Sequence, residues 1–142
     1  MSRGEAWFSH VANGLVGCSG LVYAWMLYLT TPTDEFAIVN HPWQPHVQHL
    51  HVLTAPLAVF ALGLLWVRHV WGRVRSGFPV RRSSGLVLTF AVWPMVMSGY
   101  AIQVSVDPAW RDAWIWIHVG VSLVWVPLYL IHQLGPRSVR VD

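Results

Sequence analysis

Eight histidines are the residues of this 142-residue chain whose type and spacing best suit chemistry. His118 and His132 lie fourteen residues apart within one long apolar segment. At about 100° and 1.5 Å per residue, fourteen helical residues return to nearly the same face about 21 Å along the axis. One helix would therefore carry an imidazole near each surface of a membrane. Ionisable side chains are costly inside a bilayer and usually mark a path for ions, protons or electrons.

The composition is typical of a membrane protein. Hydrophobic residues make up 55% of the chain, charged residues 11%, and ten residues are tryptophan. These values lie outside the range of ordinary soluble domains. A hydrocarbon core about 30 Å thick is crossed by about 20 helical residues, and four apolar stretches are long enough. They are predicted near Ala6–Leu29, His46–Trp71, Ser84–Val104 and Trp110–Leu134.

Short connections between these stretches favour antiparallel neighbours. The sequence therefore predicts an all-α membrane protein, an up-and-down bundle of four transmembrane helices. Residues 1–142 would form one domain, because no second domain fits in the remainder. The first stretch is longer than the apolar part of a signal peptide and has His10 where a signal peptide would carry its basic region. We interpret it as a retained membrane helix.

The arginines predict the orientation, because the chain contains no lysine. Eight arginines are predicted on one side of the membrane. Arg3 precedes the first stretch, and Arg137 and Arg140 follow the fourth. The other five surround the link between the second and third stretches: Arg68, Arg73, Arg75, Arg81 and Arg82. Arg111 lies on the other side with Asp34, Glu35, Asp107 and Asp112. Basic residues concentrate in short cytoplasmic loops, so both termini are expected to be cytoplasmic. The net positive charge then reflects topology, and nucleic acid is not an expected partner.

The histidines can next be sorted by depth. His51 lies about five residues into the second stretch and His118 about eight into the fourth, both counted from the external face. His10 lies near the cytoplasmic start of the first stretch, and His132 near the cytoplasmic end of the fourth. A b-type haem with two histidine ligands needs neutral imidazoles that face each other from different helices. The pairs His51 with His118 and His10 with His132 meet this condition and predict two haems.

Other residues agree with two non-covalent haems. Cys18 is the only cysteine, so the chain has no CxxCH site for covalent attachment, and any haem is b-type. Gly14 and Gly17 follow His10 by four and seven residues. They are expected to line the face below it and to leave room for a porphyrin plane.

His69 is the alternative partner of His132. It lies eighteen residues, or five helical turns, after His51 and is expected on the same face. His51 to His69 spans about 27 Å, against about 21 Å for His118 to His132, and this mismatch favours His10. His69, with Arg68 and Arg73, would then either contact a haem propionate or quinone head group or extend to lipid phosphate.

A second function class rests on external histidines in the string HPWQPHVQHLH, residues 41–51. His46 and His49 share a helix edge and with His41 would suit zinc or copper in a membrane metal-binding or transport protein. No cysteine or nearby carboxylate pair completes such a site. His49 is also the alternative to His51 as a haem ligand, although the two point about 200° apart. A structural anchor with incidental histidines would require the matched depths to be a coincidence.

With His10, His51, His118 and His132 in these positions, the chain resembles the bacterial di-haem cytochrome b superfamily. That family includes the membrane subunits of nickel hydrogenases and formate dehydrogenases and stand-alone four-helix relatives. Its first and second helices supply one haem ligand each, the third none, and the fourth two that are fourteen residues apart. The resemblance covers nearly the whole chain.

The resemblance implies electron transfer across the bacterial inner membrane, as in a respiratory chain. The implied partners are a quinone or quinol, a redox protein subunit or cytochrome, and membrane lipid. A homodimer and a larger complex are both compatible with it, as is quinone oxidoreductase activity.

Overall fold

The computed structural model describes residues 2–77 and 80–135, apart from the side chain of Arg68. In these ranges all regular structure is helical. The helices are Arg3–Tyr28 (α1), Gln44–Leu65 (α2), Gly72–Ser76 (α3), Arg82–Val104 (α4) and Pro108–Leu134 (α5), and the π-helical segment Trp66–Trp71 joins α2 to α3. The long helices α1, α2, α4 and α5 are each long and apolar enough to cross a membrane.

All four predicted spans are confirmed as helical, and each begins two or three residues earlier than expected. Polar capping explains the earlier starts of two of them. At α1, the Ser2 hydroxyl accepts from the Glu5 amide at 3.1 Å, and the Glu5 carboxylate accepts from the Ser2 amide at 2.8 Å. At α5, the Asp107 carboxylate accepts from the Trp110 amide at 3.0 Å. Such caps satisfy amides that have no partner within the helix, so a helix extends past its apolar stretch.

The second predicted span differs from an uninterrupted α-helix, because residues 66–71 have π-helical bonding. Hydropathy does not distinguish the two helix types. A π-helix turns less per residue than an α-helix. Over the four residues from Leu65 to His69, the direction of the side chain about the helix axis therefore differs by about 70° from that in a continued α-helix. The continuous α-helix on which the predicted shared face of His51 and His69 depends is therefore interrupted at residues 66–71.

The first compact unit, Met1–Arg68, is built on α1 and α2. The rings of Phe8 and Phe60 are 6.0 Å apart, so the start of α1 lies beside the later part of α2 and the helices are antiparallel. The buried hydrophobic cluster between them is made of small residues: Ala12, Ala58 and Ala61. Small side chains allow close approach of helix backbones, as is usual in membranes.

The second compact unit, His69–Asp142, is built on α4 and α5. Three residues, 105–107, connect these helices, which pack antiparallel. Arg81 precedes α4 with left-handed backbone at φ 54°. Its guanidinium donates to the carbonyls of His132 at 2.7 Å and Gln133 at 2.8 Å, and also to that of Gly135. Arg81 thus satisfies carbonyls at the end of α5 that have no partner within the helix.

A single domain over 1–142, one four-helix bundle and cytoplasmic termini stay predictions. Arg137 and Arg140, two of the arginines that predict this orientation, lie outside the described residues.

Candidate functional site

His51 of α2 lies against α1, where two oxygen atoms are within hydrogen-bond distance of its Nδ1 atom. The Ser19 hydroxyl is 3.2 Å from Nδ1, and the Val16 carbonyl is 3.1 Å from it. A carbonyl can only accept, so this network assigns the ring proton to Nδ1. The Ser19 hydroxyl donates to the Leu15 carbonyl, 2.7 Å away. In the neutral ring, the lone pair that can bind a metal is therefore on Nε2.

His118 of α5 repeats this arrangement against α4. Its Nδ1 is 3.1 Å from the hydroxyl of Ser98 and 3.2 Å from the carbonyl of Met95. The Ser98 hydroxyl donates to the Pro94 carbonyl at 2.5 Å, and Ser98 is fully buried. In both units, the carbonyl beside the ring comes from three residues before the serine, and the carbonyl that accepts from the hydroxyl comes from four before it.

His132, near the end of α5, has a network of the same kind with a serine but without a carbonyl at Nδ1. The Ser84 hydroxyl lies 2.9 Å from its Nδ1 and donates to the Arg81 carbonyl at 3.1 Å. Within the described ranges no carbonyl is in hydrogen-bond distance of this Nδ1. Orientation of the His132 ring therefore depends more on its serine than the orientation of His51 or His118 does.

A glycine follows each of the three serines and allows the imidazole to approach the helix. A Cβ atom on Gly20 would lie 2.8 Å from Cε1 of His51. The corresponding distance is 3.3 Å from Gly99 to His118 and 3.2 Å from Gly85 to His132. Each Ser-Gly pair thus supplies a hydrogen-bond acceptor and the space beside it.

The Ser-Gly pairs are candidate site residues that the sequence reasoning missed. Ser84 and Ser98 are fourteen residues apart, as are His118 and His132. Antiparallel helices keep such equal spacings in register, so this recurrence was the available signal. The third apolar stretch, which has no histidine, contacts the histidines of α5 through these serines.

The predicted glycines of α1 lie in open surroundings. A Cβ on Gly14 or Gly17 would meet no atom within 4 Å. Space for a group beside them is therefore present, whereas their predicted role next to a porphyrin stays a prediction. His10 is exposed on α1, with its ring 6.3 Å from that of Trp7. Its pairing with His132 also stays a prediction, as does the pairing of His51 with His118.

His69, just beyond the apolar helix α2, lies close to His132. The two ring centroids are 6.5 Å apart and the ring planes are inclined by 85°. Burial, and secondarily the positive charge of Arg73, lower the pKa of His69 and favour its neutral form. The Arg73 side chain is exposed on α3, and that of Arg68 lies outside the described part of the structure.

The external histidines do not form a metal centre in the structure. The Trp43 amide donates to Nδ1 of His41 at 3.1 Å, so this ring orders the loop. His46 and His49 are exposed. Among all residues that the structure describes, no group of three or more His, Cys, Asp or Glu side chains is placed to hold a metal ion. The zinc or copper alternative therefore gains no support from these residues.

The donor chemistry at His51, His118 and His132 fits axial ligation of haem iron. Each ring has its Nδ1 atom held and is anchored to a neighbouring helix, and both features are typical of metal-ligating histidines. Comparison of the chain with protein-family models, curated proteins and solved structures gives no match. The resemblance to the di-haem cytochrome b superfamily stays a prediction.

Proposed function

We propose that the chain is a di-haem b-type cytochrome of the bacterial inner membrane that carries electrons between a quinone or quinol pool and a protein redox partner. The observation that carries this proposal is the common geometry of His51, His118 and His132. Metal-ligating histidines almost always donate their second ring N–H to a carbonyl, carboxylate or water. Here Nδ1 of His51 and of His118 lies beside a helix carbonyl and a serine hydroxyl, and Nδ1 of His132 beside a serine hydroxyl, inside helices apolar enough to cross a membrane.

The number of haems follows from the spacing on α5. His118 and His132 share this helix and lie about 21 Å apart along it. This separation is far too large for both imidazoles to reach one iron, so two ligands on α5 require two haems. The second ligand of the His118 site is proposed to be His51, as the depth argument predicts.

Haem accounts for these histidines better than a bare metal ion. A structural zinc site takes four protein ligands and a catalytic one takes three. The described ranges contain no cluster of three His, Cys, Asp or Glu side chains. Haem iron receives four nitrogen ligands from the porphyrin and needs at most two from the protein. Histidines held singly on helices are sufficient for that.

Bound haem would supply one-electron chemistry, and the chain would control it through the ligand surroundings. Hydrogen bonds that the Nδ1–H group donates increase the basicity of the imidazole and fix the ring orientation. Ser98 and Ser19 perform this role from buried positions, where water does not compete for the bond. Apolar helices around a haem and the charge of Arg81 at the end of α5 would adjust its reduction potential.

The orientation is part of the proposal. The excess of arginines on one side supports cytoplasmic termini, with the His132 end of α5 near the cytoplasmic surface. The two haems would then connect the two faces of the membrane.

The experiment compares His118→Ala with His49→Ala in detergent-purified protein expressed with a haem supply. His49 is an exposed histidine of a membrane helix, so its replacement is a matched control. We expect the reduced-minus-oxidised spectrum of His118→Ala to lose one b-type signal and that of His49→Ala to keep both. Reoxidation of the reduced protein by a soluble quinone analogue tests the proposed acceptor or donor. Protein that contains zinc or copper and no haem would contradict the proposal.

A further inference from the structure

We propose that His69 and His132 ligate the same haem iron, so that residues 69–142 supply both protein ligands of one site. This inference rests on the proposed function and replaces His10 with His69 as the partner of His132. The juxtaposition of the two rings within one compact unit carries it.

The distance between the rings matches shared ligation. Two imidazoles on opposite sides of one metal contribute a bond of about 2.0 Å each and about 1.1 Å each from nitrogen to ring centre, or about 6.2 Å in total. The centroids of His69 and His132 are 6.5 Å apart. The centroid separation of His69 and His132 is therefore close to that of two ligands of one iron.

The π-helical segment explains how His69 reaches this position. An α-helix continuing from Leu65 would place His69 over His51, five turns away. The segment Trp66–Trp71 rotates His69 from that direction. π-Helical turns are rare and are found frequently at functional sites. Here the unusual turn surrounds the one histidine of the segment.

The other ring of the pair is fixed independently. His132 is held by the Ser84 hydroxyl at 2.9 Å and lies against Gly85. Its backbone carbonyl accepts from Arg81, which anchors this end of α5. One ligand is thus held by contacts with α4, and the other lies on the π-helical segment.

The ring planes give the inference a spectroscopic signature. The planes of His69 and His132 are inclined by 85°. Near-perpendicular axial imidazoles make the two d-orbitals that interact with them almost equal in energy, which gives a strongly anisotropic low-spin ferric EPR signal. We expect such a signal from one haem, and its absence from the oxidised wild-type protein would contradict this arrangement.

The test compares His69→Gly with His10→Gly, each measured with and without added imidazole. We expect His69→Gly to convert one haem from low spin to high spin, or to lose that haem. Imidazole added at about 10 mM should restore the low-spin signal. His10→Gly should keep both haems low spin. His69→Met should keep two haems but shift one midpoint potential upwards, because methionine ligation raises the potential. A purely structural role of His69 would give neither imidazole rescue nor that shift.

The outcomes separate the two proposals. Wild-type protein without haem would overturn the proposed function itself. Two haems in the wild type, unchanged in both His69 variants and with one lost in His10→Gly, would leave the function standing and overturn the role of His69. Loss of a signal in both glycine variants, without rescue by imidazole at position 69, would also overturn it.

Discussion

Alanine at Gly20 provides a quantitative test of the packed serine–histidine geometry. The new Cβ would lie 2.8 Å from Cε1 of His51, and ordinary van der Waals contact begins at 3.4 Å, so the ring must move by about 0.6 Å. Nδ1 now lies 3.2 Å from the Ser19 hydroxyl and 3.1 Å from the Val16 carbonyl. Because both acceptors belong to the helix that carries the new methyl group, movement away lengthens the distances to about 3.8 Å and about 3.7 Å, beyond hydrogen-bonding range.

The expected cost is the loss of the groups that orient a metal ligand. Such losses typically reduce metal affinity by about 10–100-fold, which corresponds to about 1.4–2.8 kcal/mol. Gly99→Ala should be much milder, because its Cβ would lie 3.3 Å from Cε1 of His118 and a shift of about 0.1 Å relieves the contact. Its effect on haem affinity should therefore be smaller than that of Gly20→Ala. Gly63→Ala on α2 is the matched control, since its Cβ would meet no atom within 4 Å.

The assay measures haem per chain by pyridine haemochrome, and then haem loss to an excess of a haem-scavenging protein. We expect fast loss from one site in Gly20→Ala and rates close to wild type in Gly99→Ala and Gly63→Ala. Equal haem retention in Gly20→Ala and the wild type would refute the reasoning, as would equal losses in Gly20→Ala and Gly63→Ala.

Further predictions concern the hydrogen bonds of the second unit. Ser84→Ala should weaken haem retention at its site more than Ser98→Ala does at the other, because His118 keeps the Met95 carbonyl at 3.2 Å; midpoint potentials and haem loss measure the difference. Arg81→Gln should lower the stability of the second unit by about 1.5–3 kcal/mol through lost charged hydrogen bonds, seen in thermal unfolding followed by helical circular dichroism, and Arg81→Lys should recover only part of it. Asp107→Ala should cost about 1 kcal/mol as a lost N-cap while leaving the haem spectrum unchanged; a changed spectrum would contradict its purely structural role.

Apolar length was sufficient to predict the long helices. α5 ends at Leu134 and α4 at Val104, as expected, because hydrophobic stretches set these limits. The π-helical segment was not predictable, since hydropathy does not distinguish a π-helix from an α-helix. It moves His69, so the face on which this residue lies could not be read from the five-turn spacing.

The candidate site could be predicted only in part. Spacing identified His51, His118 and His132, because ionisable residues are conspicuous in apolar helices. Ser19 and Ser98 were missed, since a serine in a membrane helix commonly bonds to its own backbone. Both do so here as well, and their contact with a histidine depends on the register between two helices. For Ser98, the fourteen-residue spacing from Ser84 pointed to that register, whereas no such spacing pointed to Ser19.

The most direct test of the central claim is the haem content of the purified chain. Pyridine haemochrome analysis, with protein quantified by amino-acid analysis, should give two non-covalent b haems per chain, both low spin when oxidised. A preparation supplied with haem that contains none, or a single haem that survives His118→Ala and His132→Ala unchanged, would contradict the account.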